Sequence, residues 1–277
     1  MALIINTNIA SLNAQRNLNA SQSSLQTSLQ RLSTGMRVNS AKDDAAGMFS
    51  IQKMTADIRG LNQAVRNAQD GISLAQTGEG AMDQIQSALQ RIREIAVQSA
   101  NASVEDRSGL QAEVDQLTQE ISRIIETTEF NGALLLNSST ALTFQIGADG
   151  VDSNQIEVSS LVLTGIAGYS ADLQATGVID VSDAAAASAT IATVSTAIDD
   201  VSRSRATFGA VQNRFESVIV NLTNYAENLT AARSRIQDAD FAAETANMTR
   251  AQILQQAGVA MLAQANALPQ VALSLLQ

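Results

Sequence analysis

The stretch Val194–Ile236, VSTAIDDVSRSRATFGAVQNRFESVIVNLTNYAENLTAARSRI, has an apolar residue at every seventh position. The members of this ladder are Val194, Val201, Phe208, Phe215, Leu222, Leu229 and Ile236. A repeat of seven sustained over such a length is typical of a helix that packs lengthwise against other helices. The stretch therefore predicts a bundle or coiled coil and argues against a globular α/β domain.

The first half of the chain has the same periodicity. One further ladder consists of Met54, Leu61, Ala68, Ala75, Met82, Leu89 and Ala96. Nearer the start, Leu18, Leu25 and Leu32 are also seven residues apart. The motif Gly78-Glu79-Gly80 lies where the apolar residues that flank the Met54–Ala96 ladder change from one side to the other. It predicts a bend or a phase shift in the helix there. We expect a mainly α chain of long antiparallel helices in a coiled-coil or bundle rod.

The middle of the sequence does not share this periodicity. Short apolar runs at 134–136, 142–146 and 155–162 predict strands, and Gly147-Ala148-Asp149-Gly150 predicts a hairpin loop. Gly, Ala and Asp dominate residues 165–185. These patterns predict a small β-hairpin-containing insert in an otherwise helical chain.

The two ends of the chain are similar in composition. Residues 1–32 and 241–277 are rich in Asn, Gln and Ala, with sparse Leu and Ile. If the long helices are antiparallel, both ends meet at the same end of the rod, and their apolar stripes need a partner, either each other or another subunit.

Missing residue types exclude common enzyme chemistry. The chain has no His and no Cys, so it cannot form a Ser-His-Asp triad, a thiol nucleophile or the usual zinc and haem sites. Asp43 is predicted to cap a helix, and Asp44 to pair with Arg37, Lys42 or a neighbouring subunit. The acidic residues 149, 152 and 157 lack the spacing of a full calcium-binding loop. We predict no catalytic residue, no cofactor and no metal site.

The formal net charge of −10 lies in the middle of the sequence. Between Arg123 and Arg203 there are ten acidic residues and no basic one, which leaves 17 acidic and 17 basic residues elsewhere. Phosphate binding requires a basic surface, so nucleic acid is not an expected partner. Polar residues and Pro269 interrupt the most apolar stretch, 259–276, so no membrane span is expected. The first 16 residues also lack the pattern of a cleavable secretion signal.

Several long motifs, taken in order, resemble bacterial flagellin, the subunit of the flagellar filament. They are IINTNIASLNAQRNL (Ile4–Leu18), LQRLSTGMRVNSAKDDAAG (Leu29–Gly47), LQRIREIAVQSAN (Leu89–Asn101), FNG at Phe130, SRIQDADFAAE (Ser234–Glu244) and ANALPQVALSLLQ (Ala265–Gln277). The resemblance covers roughly residues 1–140 and 185–277. Many family members have large outer domains in the middle, where this sequence has only its short insert.

The resemblance implies a structural subunit that self-assembles into the extracellular flagellar filament used for swimming. It implies export in unfolded form through the flagellar type III apparatus, and partners that include a flagellar export chaperone and the hook-associated and cap proteins. It also implies three domains: a terminal coiled-coil domain of residues 1–40 with 240–277 that lines a hollow tube, a helical rod domain of residues 41–135 with 185–239 around it, and an acidic surface insert of residues 136–184 that faces solvent. Two alternatives are a hook–filament junction protein and a surface adhesin or glycan-binding flagellin.

The apolar residues of the two terminal segments are the predicted assembly interface, although an ordinary intramolecular core would show the same stripes. This interface consists of Ile5, Leu12, Leu18, Leu25, Leu29, Leu32, Leu254, Met261, Leu262, Leu273, Leu275 and Leu276.

Two further sites follow from the resemblance alone. Contact with the vertebrate Toll-like flagellin receptor would involve Gln90, Arg91 and Glu113 as a charged patch around the apolar Ile95; the alternative is a solvated helix face or a filament contact. Candidate O-glycosylation sites are Ser138, Ser139, Thr140, Ser159 and Ser160, for which an unmodified polar surface is equally plausible.

Overall fold

A computed structural model describes residues 7–103 and 105–274. The elements in chain order are α1 (Ile9–Thr34), α2 (Ala45–Ser99), α3 (Ser108–Thr127), β1 (Glu129–Phe130), β2 (Ala133–Leu134), β3 (Ala141–Gln145), β4 (Gln155–Ser159), α4 (Ala184–Gln237) and α5 (Phe241–Ser274). The predicted mainly α fold with a small β insert is confirmed.

The chain forms two compact units. The central unit comprises residues 57–227, and the terminal unit comprises residues 1–56 and 228–277. Helices α2 and α4 each contribute to both units. These limits differ from the predicted division at residues 40 and 240, and the predicted insert is part of the central unit. The three-domain division stays a prediction.

The central unit has a core of large apolar side chains from α2, α3 and α4. Phe208 and Phe215 of the α4 ladder are buried, as predicted. Each ring occupies space that a side chain on α2 would fill, because a Cβ on Gly71 would lie 2.5 Å from Phe215 Cζ, and one on Gly78 would lie 2.9 Å from Phe208 Cε1. Helix α2 continues through Gly78, and that glycine provides space for the ring.

The strands form two small antiparallel pairs; β1 lies outside the predicted runs, whereas β2, β3 and β4 overlap them. Strand β1 pairs with β2, and β3 pairs with β4 so that Ala141 lies opposite Ser159. The insert is not purely a surface feature. Its apolar residues Ile156, Val158, Leu163, Ile166, Ile179 and Val181 are buried in the core of the central unit.

Residues 169–181 lie along α3 and are held there by its polar side chains. Gln111 Nε2 donates to the Ile179 carbonyl at 2.8 Å, and Gln111 Oε1 accepts from the Val181 N–H at 2.8 Å. Asp115 accepts from the Gly177 N–H at 2.9 Å. These bonds satisfy backbone N–H and C=O groups in a segment without regular secondary structure. No periodic pattern in the sequence predicts them.

Candidate assembly surface of the terminal helices

Helices α1 and α5 are antiparallel partners within the terminal unit. The Asn8 side chain accepts from the Ser11 N–H at 3.0 Å, which caps α1, and its amide donates to the Ala265 carbonyl at 2.7 Å. Near the other end of the pair, Ser28 Oγ donates to Glu244 Oε1 at 2.6 Å. Gly35 ends α1 in the left-handed region with φ of 72°, a conformation that glycine adopts readily.

Small and polar residues form the contact between the two helices. On α5 the residues that face α1 are seven apart, and we call them the α5 seam: Glu244, Ala251, Gly258 and Ala265. On α1, Ser21 and Ser28 are buried. A Cβ on Gly258 would lie 3.4 Å from Leu18 Cδ1, so the side chain packs directly over the glycine. The pair therefore buries little large apolar surface.

Large apolar side chains of the same helices are exposed. Leu254 and Met261 have 53% and 63% of their surface accessible. The exposed set comprises Ile9, Leu12, Leu29, Phe241, Ile253, Leu254, Val259 and Met261. Helix α5 contains only two charged residues, Glu244 and Arg250. A helix with apolar residues on all sides is normally enclosed by protein, so the described part of this pair has the surface of helices that other protein covers.

A groove of about 890 Å³ runs between α1 and α5 on one side of the pair. Its walls are mostly small or polar residues, with Leu254 and Met261 on the α5 side. Small side chains let a further helix approach closely, so the groove suits a helical segment better than a compact polar ligand.

The structure brings most of the predicted interface residues together on this helix pair. Leu12, Leu29, Leu254 and Met261 are exposed, whereas Leu18, Leu25, Leu32 and Leu262 are half-buried. Leu273 lies in the last turn of α5, and Ile5, Leu275 and Leu276 lie outside the described residues. Four exposed residues were not predicted: Ile9, and also Ile253, Val259 and Phe241, which the low charge of segment 241–274 could have indicated.

In the turn before α2, the residue that caps the helix differs from the predicted one. Asp43 Oδ2 accepts from the backbone N–H groups of Asn39 and Ser40 at 3.1 and 2.9 Å. The bond from the Ser40 N–H is the main reason that the pKa of Asp43 is lowered. Asp44 accepts from the Gly47 N–H at 2.8 Å and caps α2. The prediction that Asp43 is the cap is wrong, because α2 begins at Ala45, one residue later than that role requires.

The predicted receptor patch is only partly a surface. Gln90 and Arg91 are exposed, and Arg91 Nε donates to Glu113 at 2.8 Å, a bond that raises the pKa of Arg91. Ile95 is different, because it is fully buried in the core of the central unit. Ile95 therefore lies on the core face of α2 and is not part of the surface that Gln90 and Arg91 form. Receptor binding by the other residues stays a prediction.

The candidate glycosylation sites lie close together where β3 begins and β4 ends. Ser139, Thr140 and Ser159 are exposed, and Ser138 and Ser160 are half-buried. The β3–β4 register places Ser159 opposite Ala141, beside Thr140. Glycan attachment there stays a prediction.

Within residues 7–103 and 105–274, acidic side chains do not gather in any group of three or more that could hold a metal ion. Over the same residues, no helix combines the length and the apolar character needed to span a membrane.

Comparison with known proteins places the two helical ends of the chain in a family. Residues 5–141 match the family model for the bacterial flagellin N-terminal helical region, and residues 191–276 match the model for the bacterial flagellin C-terminal helical region. The chain belongs to the bacterial flagellin family. The N-terminal match includes α1, and the C-terminal match includes α5, so both helices of the candidate surface lie in the shared regions.

Relatives of similar length agree with this assignment. A flagellin of Halalkalibacterium halodurans is 44% identical over 278 aligned residues, which cover 99% of this chain and 100% of that protein. The flagellar filament 33 kDa core protein of Treponema phagedenis is 41% identical and covers 99% and 100% of the two chains. A solved structure described as a flagellar hook-associated protein from Vibrio parahaemolyticus has a TM-score of 0.59 at 14% identity, over 71% of this chain and 100% of that one. The last likeness shows the fold alone.

Proposed function

We propose that this chain is a structural subunit that self-assembles into the helical flagellar filament and serves swimming motility. The observation that carries the proposal is the set of large apolar side chains left exposed on α1 and α5. Flagellins are structural proteins, which agrees with the absence of His and Cys from the sequence.

The distribution of these residues favours an open polymer over a closed dimer. One side of the helix pair is a groove with small residues in its walls, and exposed apolar side chains such as Ile253 and Val259 lie on other parts of α5. Contact between two different surfaces of identical subunits is heterologous. Such contacts continue from copy to copy and produce helical filaments when they do not close into a ring.

The free energy available from this contact is considerable. Complete burial of one large aliphatic side chain contributes about 1.5–3 kcal/mol. Several such side chains per subunit, repeated along the polymer, offset the entropy lost when each copy is immobilised.

The location and the partners follow from the same proposal. A filament subunit works outside the cell, and export in unfolded form through the type III apparatus suits a chain without disulfide bonds. An export chaperone and the hook-associated and cap proteins remain expected partners. Identity of 41–44% over the full length is to flagellins and a filament core protein, which favours the filament over a junction or adhesin role.

The proposal is tested by making the groove wall polar. The double variant Leu254→Gln, Met261→Gln should fail to extend filament seeds, in electron micrographs and in a sedimentation assay, because both side chains would be buried unpaired. Its circular dichroism and thermal unfolding should match those of the parent, since both residues are exposed.

The matched control changes an exposed apolar residue of the insert. Val151→Gln should polymerise like the parent, because Val151 is exposed in the loop that precedes β4. Normal filament growth by the double variant, or an equal defect in the control, would refute the terminal interface.

A second proposal concerns recognition by the vertebrate Toll-like flagellin receptor. It is supported by the exposed cluster in which Arg91 bonds both Glu113 and Glu94, at 2.8 and 3.1 Å, beside Gln90. Arg91→Ala should reduce the signal in receptor reporter cells. Arg123→Ala removes a comparable exposed ion pair on α3, with Glu120, and should leave the signal unchanged. Equal signals from the two variants would contradict the proposal.

A further inference from the structure

The loop between β1 and β2 contains the only Asn-Gly pair in the sequence, Asn131-Gly132. Phe130 pairs with Ala133 across the hairpin, so these two residues alone form the loop. Both have positive φ, 50° at Asn131 and 80° at Gly132, as a type I′ turn requires. Among the residues that the structure describes, Asn131 is the one residue other than glycine with positive φ. The conformation of the turn explains why Asn and Gly are suited to these positions.

The same pair also carries the two groups that close a five-membered ring. The side-chain amide carbon of an asparagine, Cγ, is an electrophile. The backbone nitrogen of the following residue is the nucleophile within its reach. Glycine at that following position has no Cβ to hinder the approach of the two groups. Asn131 and Gly132 therefore place an electrophile and an unhindered nucleophile next to each other in the chain.

Neither of these groups is occupied by another contact. Asn131 and Gly132 are both exposed. Across the described ranges 7–103 and 105–274, the Asn131 side chain and the Gly132 N–H have no hydrogen-bond partner. A Cβ on Gly132 would meet no described atom within 4 Å. Water therefore has access to the loop, and no hydrogen bond of these groups has to break before they react.

The hairpin offers weak resistance to ring closure. The loop has to leave its left-handed conformation for the nitrogen to reach Cγ, which requires the end of the hairpin to open. Strands β1 and β2 have two residues each. A two-stranded hairpin is marginally stable by itself in water, and exposed segments of this kind open locally at low cost in free energy. The loop can therefore open while the core of the central unit stays folded.

We propose that Asn131 is a site of spontaneous deamidation in the folded chain, with water as the co-reactant. The Gly132 nitrogen loses its proton to a base in the solvent and forms a bond to Asn131 Cγ. The bond between Cγ and Nδ2 breaks, and ammonia leaves, so that a cyclic imide remains. Water then adds to one of the two carbonyl carbons of this ring and opens it. The product at position 131 is aspartate or isoaspartate, according to the carbonyl that water attacks.

The isoaspartate product changes the hairpin as well as its charge. In isoaspartate, Cβ becomes part of the main chain, so the two-residue loop gains a backbone atom and no longer matches the register of Phe130 with Ala133. The chain that follows enters the core. Leu135 is fully buried, and its N–H donates to the Thr128 carbonyl at 3.0 Å. Formation of isoaspartate should therefore weaken this bond at the base of the hairpin.

The reaction is tested by peptide mapping with mass spectrometry, after the folded, unpolymerised full-length chain has been incubated at neutral and at mildly alkaline pH. Asn131 should convert at least about tenfold faster than Asn101, which is exposed between α2 and α3 but is followed by Ala102. The rate should rise with pH, because the nucleophile is the deprotonated nitrogen. Labelling by an isoaspartyl methyltransferase identifies the isoaspartate product.

A second sample of the chain is incubated unfolded in guanidinium chloride. Conversion of Asn131 in the unfolded chain alone would overturn the proposal, because the native hairpin would then protect the residue. A rate in the folded chain no faster than that of Asn101 would overturn it as well. The readout does not involve polymerisation, so its outcome is independent of the filament function.

Hydrogen exchange at the Leu135 amide tests the structural consequence. Chains that carry isoaspartate should exchange this amide at least about tenfold faster than the fresh parent chain. Asn131→Gly suits a turn with positive φ and removes the reactive amide, so incubation should leave its exchange rate unchanged. Fresh Asn131→Asp adds the charge without lengthening the backbone and should exchange like the fresh parent. Equal rates in fresh and isoaspartate-containing chains would overturn the predicted opening of the hairpin.

Discussion

The central and terminal units use their apolar residues in opposite ways. The central unit encloses Phe208, Phe215 and many large aliphatic side chains. In the described part of the terminal unit, the buried apolar residues are Val38, Ile51, Ala251 and Ala265, while large apolar residues of α1 and α5 are exposed. The first unit has a core of its own. In the terminal unit, large apolar residues are exposed, where another molecule can cover them.

Both units are built on repeats of seven, so the repeat alone does not distinguish them. What differs is the residue at the buried position. Val and Phe at the α4 ladder fill the space between helices, whereas Ala, Gly and Glu in the α5 seam leave the large side chains of α5 outside. A heptad of small residues can therefore mark a helix pair that is incomplete without further copies.

The largest effect on monomer stability is expected in the central core. Phe215→Ala should lower the free energy of unfolding by about 3–5 kcal/mol, because the ring is fully buried and packs edge-on against Phe144. Denaturant titration by circular dichroism measures this change. Leu254→Ala is the counterpart in the terminal unit and should cost less than about 0.5 kcal/mol. Similar losses of unfolding free energy in the two variants would contradict the contrast between the units.

A smaller effect on stability is expected at Gly71, where α2 packs closely against the Phe215 ring. Gly71→Ala should destabilise the chain by about 1–3 kcal/mol, because its Cβ would meet the Phe215 ring at 2.5 Å. Gly80→Ala is the control on the same helix, since a Cβ there has no neighbour within 4 Å among the described residues. It should stabilise the helix by up to about 1 kcal/mol. The same sign for both variants would contradict the proposed close packing of α2 on α4.

The smallest effect concerns the turn that precedes α2 in the terminal unit. The pKa of Asp43 lies below its ordinary value of 3.8, chiefly because the Ser40 N–H donates to the charged carboxylate. The stabilising contribution is therefore complete above the unfolded pKa and is lost as the pH falls through the lower folded pKa. An NMR titration of the carboxyl group should show the depressed pKa. Ser40→Ala removes the hydroxyl donor and should raise it toward 3.8; an unchanged value would contradict the account.

Much of the fold was predictable because its helices obey a simple period. The α4 ladder lies within one long helix as the pattern predicted, and strands β3 and β4 lie close to the predicted runs 142–146 and 155–162. The attachment of residues 169–181 to α3 was not predictable, because it depends on bonds from Gln111 and Asp115 to backbone groups far away in sequence. Such contacts leave no periodic signal.

The candidate site was predicted in its location but not in its detail. Apolar residues at the two ends indicated an interface, and the structure places Leu12, Leu29, Leu254 and Met261 on one helix pair. The exposure of Ile253 and Val259 depends on the rotation of α5, which a helix with apolar residues on all sides does not reveal in its sequence. The burial of Ile95 was missed because the resemblance, and not the heptad pattern, guided that assignment.

We expect neighbouring copies to cover the terminal helices, whereas the central unit is complete in a single chain. Hydrogen exchange by mass spectrometry, on unpolymerised chain and on seeded filaments, tests it most directly. Amides of the buried parts of α2, α3 and α4 in the central unit should exchange slowly in both states. Amides of α1 and α5 should become strongly protected only in filaments. Equal protection of α1 and α5 in the two states would contradict the claim.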